Sequence, residues 1–310
     1  MRDEVTRGQH SGMPPRRRTI KHTPNGEEVL VPATDSESGS GTPFLREIRR
    51  RGRGGEGQFP FTVPVINALQ TLAFPSAVTF FVGENGSGKS TLLEGIATAA
   101  RLPAVGSADL GTDATLGAQR RLGDALRLVW KRRTHKGFFL RAEDFFGFAK
   151  RVSAMRTEFL QRIAELEVEY VDRSEWSKGL AMGPARASLA DMERRYGVDL
   201  DANSHGQSFL RLFQSRFVPG GLYLLDEPEA PLSPQSQLAL MVMMQEMIAQ
   251  GAQFIVATHS PILLAYPGAT IYSFDRVPAE SVPYAELEHV VLTREFLNAP
   301  ERYLRALRKT

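Results

Sequence analysis

Short runs of consecutive apolar residues punctuate a chain that is otherwise patterned in helical repeats. Val78–Val82, Lys136–Leu140, Leu222–Leu225, Phe254–Ala257 and Thr270–Phe274 are each only four or five residues long and rich in aromatic and branched side chains. Such runs read as strands covered on both faces, the pattern of a parallel sheet flanked by helices. Between them lie helical patterns. Thr91–Ala100 is rich in Leu, Ala, Glu and Ile, and Gln235–Gln250 starts with the N-cap pair Ser233-Pro234 and ends at Gly251. Leu222–Leu225, that helix and Phe254–Ala257 predict a right-handed βαβ unit. Phe44–Ile48 is a candidate edge strand, Leu122–Trp130 is apolar at helical spacing, and Glu295–Leu307 holds a terminal helix. Arg101–Leu116 reads as a loop.

Phe145, Phe146, Phe148, Val152, Met155, Phe159, Ile163, Leu166 and Val168 recur among charges, which predicts an amphipathic helical lobe over about 144–215. Asp172–Leu200, with Gly183-Pro184, reads as a looser part of it. Residues 1–42 carry Pro, Gly, Ser and charge without periodicity, so a disordered basic tail is expected there, followed by one α/β domain over 43–310. Phe59 and Phe61, upstream of the first strand, are expected in the core, with base stacking as the alternative.

Composition narrows the class. The apolar fraction of 42% and charged fraction of 24% are ordinary for a soluble domain. No apolar run approaches the roughly 18–20 residues that span a bilayer, so no membrane insertion is expected. The chain has no cysteine, which excludes disulfides, thiolate metal sites and cysteine nucleophiles, and fits a cytoplasmic location. The net charge is +3, and 11 basic against 8 acidic residues fall in the first 58, so the entire excess lies at the N-terminus. The remainder is formally neutral and carries no global field for nucleic acid. The clusters Arg16-Arg17-Arg18 and Arg49-Arg50-Arg51 read as solvated flexible segments, with contact to phosphate backbones as the alternative.

Candidate chemistry begins directly after the first buried strand. Gly83, Glu84, Asn85, Gly86, Ser87, Gly88, Lys89, Ser90 and Thr91 read GENGSGKST and fit G-x-x-x-x-G-K-[ST]. Glycines let successive N–H groups converge on one anion, the helix N-terminus adds partial positive charge, and Lys89 adds a full one. Ser90 supplies a hydroxyl for a magnesium ion. The loop therefore predicts a nucleoside triphosphate ligand with Mg2+. Asp226 and Glu227 follow the strand Leu222–Leu225, where Asp226 would hold the metal and Glu227 would accept a proton from the attacking water. His259 follows the strand Phe254–Ala257 and would contact the γ-phosphate or position the water. Ser204, Gly206 and Gln207 lie in a polar cluster at a helix start, SHGQS, a further phosphate-contacting candidate.

Taken in order, GENGSGKST, SHGQS, LYLLDEPE and ATHS resemble the motifs of ABC-type ATPase domains, in particular soluble stand-alone ATPases related to SMC-like repair and phage-defence ATPases. The resemblance implies a P-loop NTPase fold: a mostly parallel sheet flanked by helices, an antiparallel edge and an inserted helical lobe. It implies an ATP-dependent homodimer in which Ser204, Gly206 and Gln207 of one copy close over ATP held by the other. It implies a switch or motor acting with nucleic acid or a defence or repair partner, with the nucleotide-binding subunit of a membrane transporter as the alternative. The glutamine that the family places after the strand preceding the lobe is missing. Glu143, or failing that Arg141, is the candidate to replace it as a metal contact. The stretch after Glu229, APLSPQ, also lacks the aspartate common in that interface loop.

Overall fold

The computed structural model describes residues 18–22, 28–32, 44–52, 57–105, 117–196 and 205–305. Two units separate, Met1–Gly39 and Ser40–Thr310. In the first, β1 (Arg18–His22) and β2 (Glu28–Pro32) pair as an antiparallel hairpin with Ile20 opposite Leu30 and Thr19 opposite Val31. The other residues of the stretch expected to be a disordered tail, 1–42, lie outside the described ones.

In the second unit the buried runs become a seven-stranded sheet of order β12-β11-β5-β10-β9-β8-β6. Its members are β5 (Val78–Val82), β6 (Ala104–Val105), β8 (Gly137–Arg141), β9 (Leu222–Asp226), β10 (Gln253–Ala257), β11 (Thr270–Ser273) and β12 (Glu280–Ser281). The pairs β10–β5, β10–β9, β11–β5, β8–β9 and β6–β8 are parallel, and only β12 runs antiparallel at its margin. Side chains alternate between two cores. Phe80, Tyr223, Leu225, Phe254 and Val256 enter one, while Phe81, Leu222, Leu224, Ile255 and Ala257 enter the other. Both faces are thus apolar, which is why these strands have no polar alternation in sequence.

On the first face pack α6 (His205–Arg216), α7 (Pro234–Ala249) and α9 (Glu288–Asn298), through Phe209, Phe213, Leu240, Met244 and Val290. On the second lie α2 (Lys89–Ala100) and a three-stranded antiparallel sheet, β4-β3-β7, formed by β4 (Thr71–Ala73), β3 (Leu45–Arg50) and β7 (Leu126–Trp130). Gln253, fully buried, ties the two sheets together. Its side-chain oxygen accepts the Leu45 N–H at 2.9 Å and its amide donates to the Leu45 carbonyl at 2.9 Å.

Two local expectations are corrected here. β3 is the central strand of its sheet, not an edge, because both β4 and β7 pair with it. The helical spacing over Leu122–Trp130 breaks at Ala125. There α3 (Gly117–Ala125) ends and β7 begins, and its Leu126 is buried while Arg127 is exposed.

Three helices, α4 (Ala142–Glu169), α5 (Glu175–Tyr196) and α6, occupy the stretch expected to be a helical lobe, and α5 includes Pro184 within a stretch expected to be looser. The expected C-terminal helix is divided into α9 and α10 (Pro300–Leu304). Phe61 is buried under the Arg50 guanidinium, 4.8 Å from its ring centre, whereas Phe59 is exposed. Among the described residues, no helix is long and apolar enough to cross a membrane.

Candidate functional site

The carboxyl ends of β5, β8, β9, β10 and β11 lie side by side, and the polar residues that follow them gather along that rim. Sheet pairing aligns Arg141 with Asp226, Asp226 with Ala257, and Ala257 with Phe81. Ligands of open parallel sheets bind in the crevice beyond these ends.

Gly83–Gly88 leaves β5 as a tight loop. Gly86 and Gly88 have φ of +83° and +103°, values that side-chain-bearing residues rarely adopt. Gly88 also has no room to spare: a Cβ there would stand 2.8 Å from Val63 Cγ1. The loop runs straight into α2, so Lys89 and Ser90 occupy the first helical turn. Lys89 is only 4% exposed, and its Nζ donates to the carbonyls of Gly83 at 2.7 Å and Glu84 at 2.8 Å. Burial lowers its pKa from the ordinary lysine value, opposed by the carboxylates of Glu227, Asp226, Asp275 and Glu229. Ser87 Oγ is enclosed with no hydrogen-bond partner.

Ser90 Oγ donates to Asp226 Oδ1 at 3.0 Å, joining the loop to the end of β9. Asp226 is 7% exposed, and burial pushes its pKa up to about 6, against the Ser90 hydrogen bond. A buried carboxylate beside a hydroxyl, with its charge this poorly solvated, is a donor set that suits a hard divalent cation. Among the described residues no three carboxylate or imidazole groups converge to hold a metal unaided. An ion here would need oxygens from a bound phosphate or water as well.

Glu227 takes φ of +49°, a left-handed conformation that is strained for a residue with a Cβ. Its N–H donates to the Ala257 carbonyl at 2.9 Å, and its half-exposed carboxylate stands 3.9 Å from His259 Nε2. Both side chains line a cavity of about 480 Å³ together with Glu84 and Asn85 of the loop. His259 is itself held from behind, since its backbone N–H donates to Glu229 Oε1 at 2.7 Å. Burial raises the Glu229 pKa, opposed by backbone and Thr258 hydrogen bonds. A second cavity of about 780 Å³ adjoins Gly83, Glu84 and His259 and extends to Asp275 and His289.

The structure therefore brings together Lys89, Ser90, Asp226, Glu227 and His259. Glu143 does not join them. Its side chain is 76% exposed and its carboxylate turns to Arg141 at 3.7 Å. Arg141 takes the inward place instead, ion-paired with the buried Glu94 of α2. Ser204 lies outside the described residues. Gly206 is buried where α6 begins, so close to the turn after β9 that a Cβ would stand 3.1 Å from the Pro231 carbonyl, and Gln207 is exposed.

Four contributors escaped sequence reasoning. Glu229 was visible in the motif but unassigned, and Glu94, Arg141's pairing and Asp275 depend on contacts between distant segments. Only the position of Asp275 at the end of a buried strand could have signalled it.

Comparisons with known proteins match two parts of this rim. Residues 60–100 match a family model described as "AAA domain", and residues 207–265 one described as "AAA domain, putative AbiEii toxin, Type IV TA system". The chain is 26% identical over 246 residues to the macrolide export ATP-binding/permease protein MacB of Hahella chejuensis, covering 79% of this chain and 35% of that protein. A MacB from Azoarcus is 25% identical over 235 residues, covering 75% and 33%. The chain thus spans about a third of the length of these curated relatives. Among solved structures, an ATP-binding cassette of an ABC transporter in its ADP conformation is 16% identical, with a TM-score of 0.42 over 82% of this chain and 97% of that one. The Smc head domain from Pyrococcus furiosus is 13% identical, with a TM-score of 0.40 over 82% and 100%.

Proposed function

We propose that this chain, whose core is an AAA/ABC-type ATPase domain, binds ATP with Mg2+ and hydrolyses it to ADP and phosphate. The observation that carries the reading is the joining of Lys89, Ser90–Asp226 and Glu227–His259 at one sheet rim. Lys89 brings positive charge for a terminal phosphate, Ser90 and Asp226 bring oxygens for a divalent ion, and Glu227 brings a proton acceptor. Lys89 would exchange the Gly83 and Glu84 carbonyls for phosphate oxygens, and the free loop amides would take the rest of the anion. Ser90 and Asp226 would hold Mg2+, which supplies charge neutralisation to the phosphates. Glu227, poised over the cavity by its strained backbone, would take the proton of the attacking water, and His259 would orient that water or the terminal phosphate.

In this reading a single site leaves the γ-phosphate open, and a second copy closes it head to tail with Ser204, Gly206 and Gln207. The exposure of Gln207 suits a contact made to another subunit. ATP then acts as a switch that joins two copies in the cytoplasm until hydrolysis parts them. The work so gated is that of a repair- or defence-type system. A second reading, the ATP-binding half of an exporter, is favoured by the MacB similarity. Purification with a permease subunit supports it, and salt-sensitive retention of nucleic acid supports the first.

Glu227→Gln tests the chemistry. It should still bind ATP, turn over about 10²–10⁴-fold more slowly, and accumulate as ATP-bound dimers on gel filtration. Wild-type turnover by this variant would remove Glu227 from the role of base.

A further inference from the structure

Asp275 stands just beyond β11, and its Oδ1 accepts the backbone N–H of Glu84 at 2.7 Å across 191 residues of sequence. On the other side of the same residue, the Glu84 carbonyl accepts from Lys89 Nζ at 2.8 Å. The second residue of the phosphate loop is therefore gripped at both ends of its backbone. The aspartate is well anchored for this. Ser273 pairs with Val82 in the parallel ladder, Phe274 N–H donates to the Val82 carbonyl at 2.7 Å, and the Phe274 and Phe81 rings lie 4.8 Å apart. Gly83 lets the carboxylate approach, since a Cβ there would lie 3.0 Å from Asp275 Oδ1.

We propose that Asp275 is a positioning residue for the phosphate loop, one that keeps the Glu84 peptide in place when Lys89 leaves its carbonyls for a nucleotide. This rests on the nucleotide-binding reading above. The Lys89 grip is lost at the moment of binding, whereas the Asp275 grip persists, so the cradle meets its ligand already shaped. One effect opposes this. The Asp275 carboxylate acts on Lys89 through space, and the same negative charge repels a polyphosphate. Two substitutions separate hydrogen bond from charge. Asp275→Ala removes both, while Asp275→Asn removes the charge and keeps an oxygen to accept the Glu84 N–H.

The test is equilibrium binding of fluorescent ATP and ADP analogues with Mg2+ to the full chain in three forms, with thermal unfolding and steady-state hydrolysis alongside. Asp275→Ala should weaken ATP and ADP alike by about tenfold, the lower end for a hydrogen bond to a charged acceptor at an exposed site. Both ligands should suffer because both carry the phosphates the loop cradles. Asp275→Asn should bind within about threefold of wild type. Hydrolysis by the Ala variant should show a raised KM with kcat within about twofold of wild type, the mark of lost uniform binding. Its unfolding midpoint should stay put, since Asp275 is exposed. Ala binding as tightly as wild type or tighter, loss confined to ATP, or Asn as weak as Ala would each overturn the inference. Wild type that bound neither nucleotide would overturn the nucleotide reading itself, and this inference with it.

Discussion

Asp226→Asn should make the ligand-free protein more stable at neutral pH while abolishing its response to Mg-ATP. Asp226 is 7% exposed, and burial raises its pKa from the ordinary 3.8 to about 6. At about 1.4 kcal/mol for each factor of ten, holding it ionised costs the fold roughly 3 kcal/mol. The sign follows from the direction. Below pH 3.8 both folded and unfolded states are protonated and nothing is lost; between 3.8 and about 6 only the unfolded chain ionises; above about 7 the full penalty stands. Asparagine never carries it and keeps an oxygen to accept the Ser90 hydroxyl. Its buried N–H groups cost about 1–3 kcal/mol if unpaired, but that loss does not vary with pH. The pH-dependent part therefore isolates the charge. Variant minus wild-type stability should rise by about 1.4 kcal/mol between pH 5 and pH 8, measured by urea unfolding in chelator. Excess Mg-ATP at a hundred times its Kd should then stabilise wild type by about 2.7 kcal/mol and leave the variant unmoved. A difference that stays flat with pH would refute the claim that burial strains this carboxylate.

Gly88→Ala places a Cβ at φ of +103° and 2.8 Å from Val63 Cγ1. It should lose at least about 2 kcal/mol in chemical denaturation and its nucleotide affinity with it. Glu94→Ala leaves Arg141, four-fifths buried, without its buried partner and with the exposed Glu143 carboxylate 3.7 Å away. A loss of about 3 kcal/mol is expected in urea unfolding, partly restored in the double variant with Arg141→Ala, as a double-mutant cycle would read.

The parallel sheet was legible because β5, β9 and β10 are apolar on both faces, so an unbroken run of four or five residues is itself the signature. The loop was legible because its chemistry fixes residue types at fixed spacing, and Asp226, Glu227 and His259 because each lies within two residues of the end of such a run. β7 was not. Leu126, Leu128 and Trp130 satisfy a two-residue period, but with Leu122 they also satisfy a helical one, and only pairing with β3 decides between them. The position of β3 inside its sheet has the same origin, being set by strands that pair Ile48 with Leu72 and with Leu128. Glu143 lies away from the rim, since proximity in sequence to the end of β8 says nothing of direction. Arg141 precedes it and is drawn inward by Glu94, a residue on another element. Glu229 has no local pattern at all and Asp275 only its place after β11, since their partners are backbone N–H groups that every residue possesses.

Every role assigned along this rim requires that the Gly83–Ser90 loop and Lys89 hold a nucleoside triphosphate. Titration of Mg-ATP into wild type and Lys89→Ala by calorimetry measures this directly. Saturable binding by the wild type, lost in Lys89→Ala while its unfolding midpoint without ligand is retained, is the predicted result. Equal affinity in the two proteins, or no heat of binding in the wild type, would contradict it.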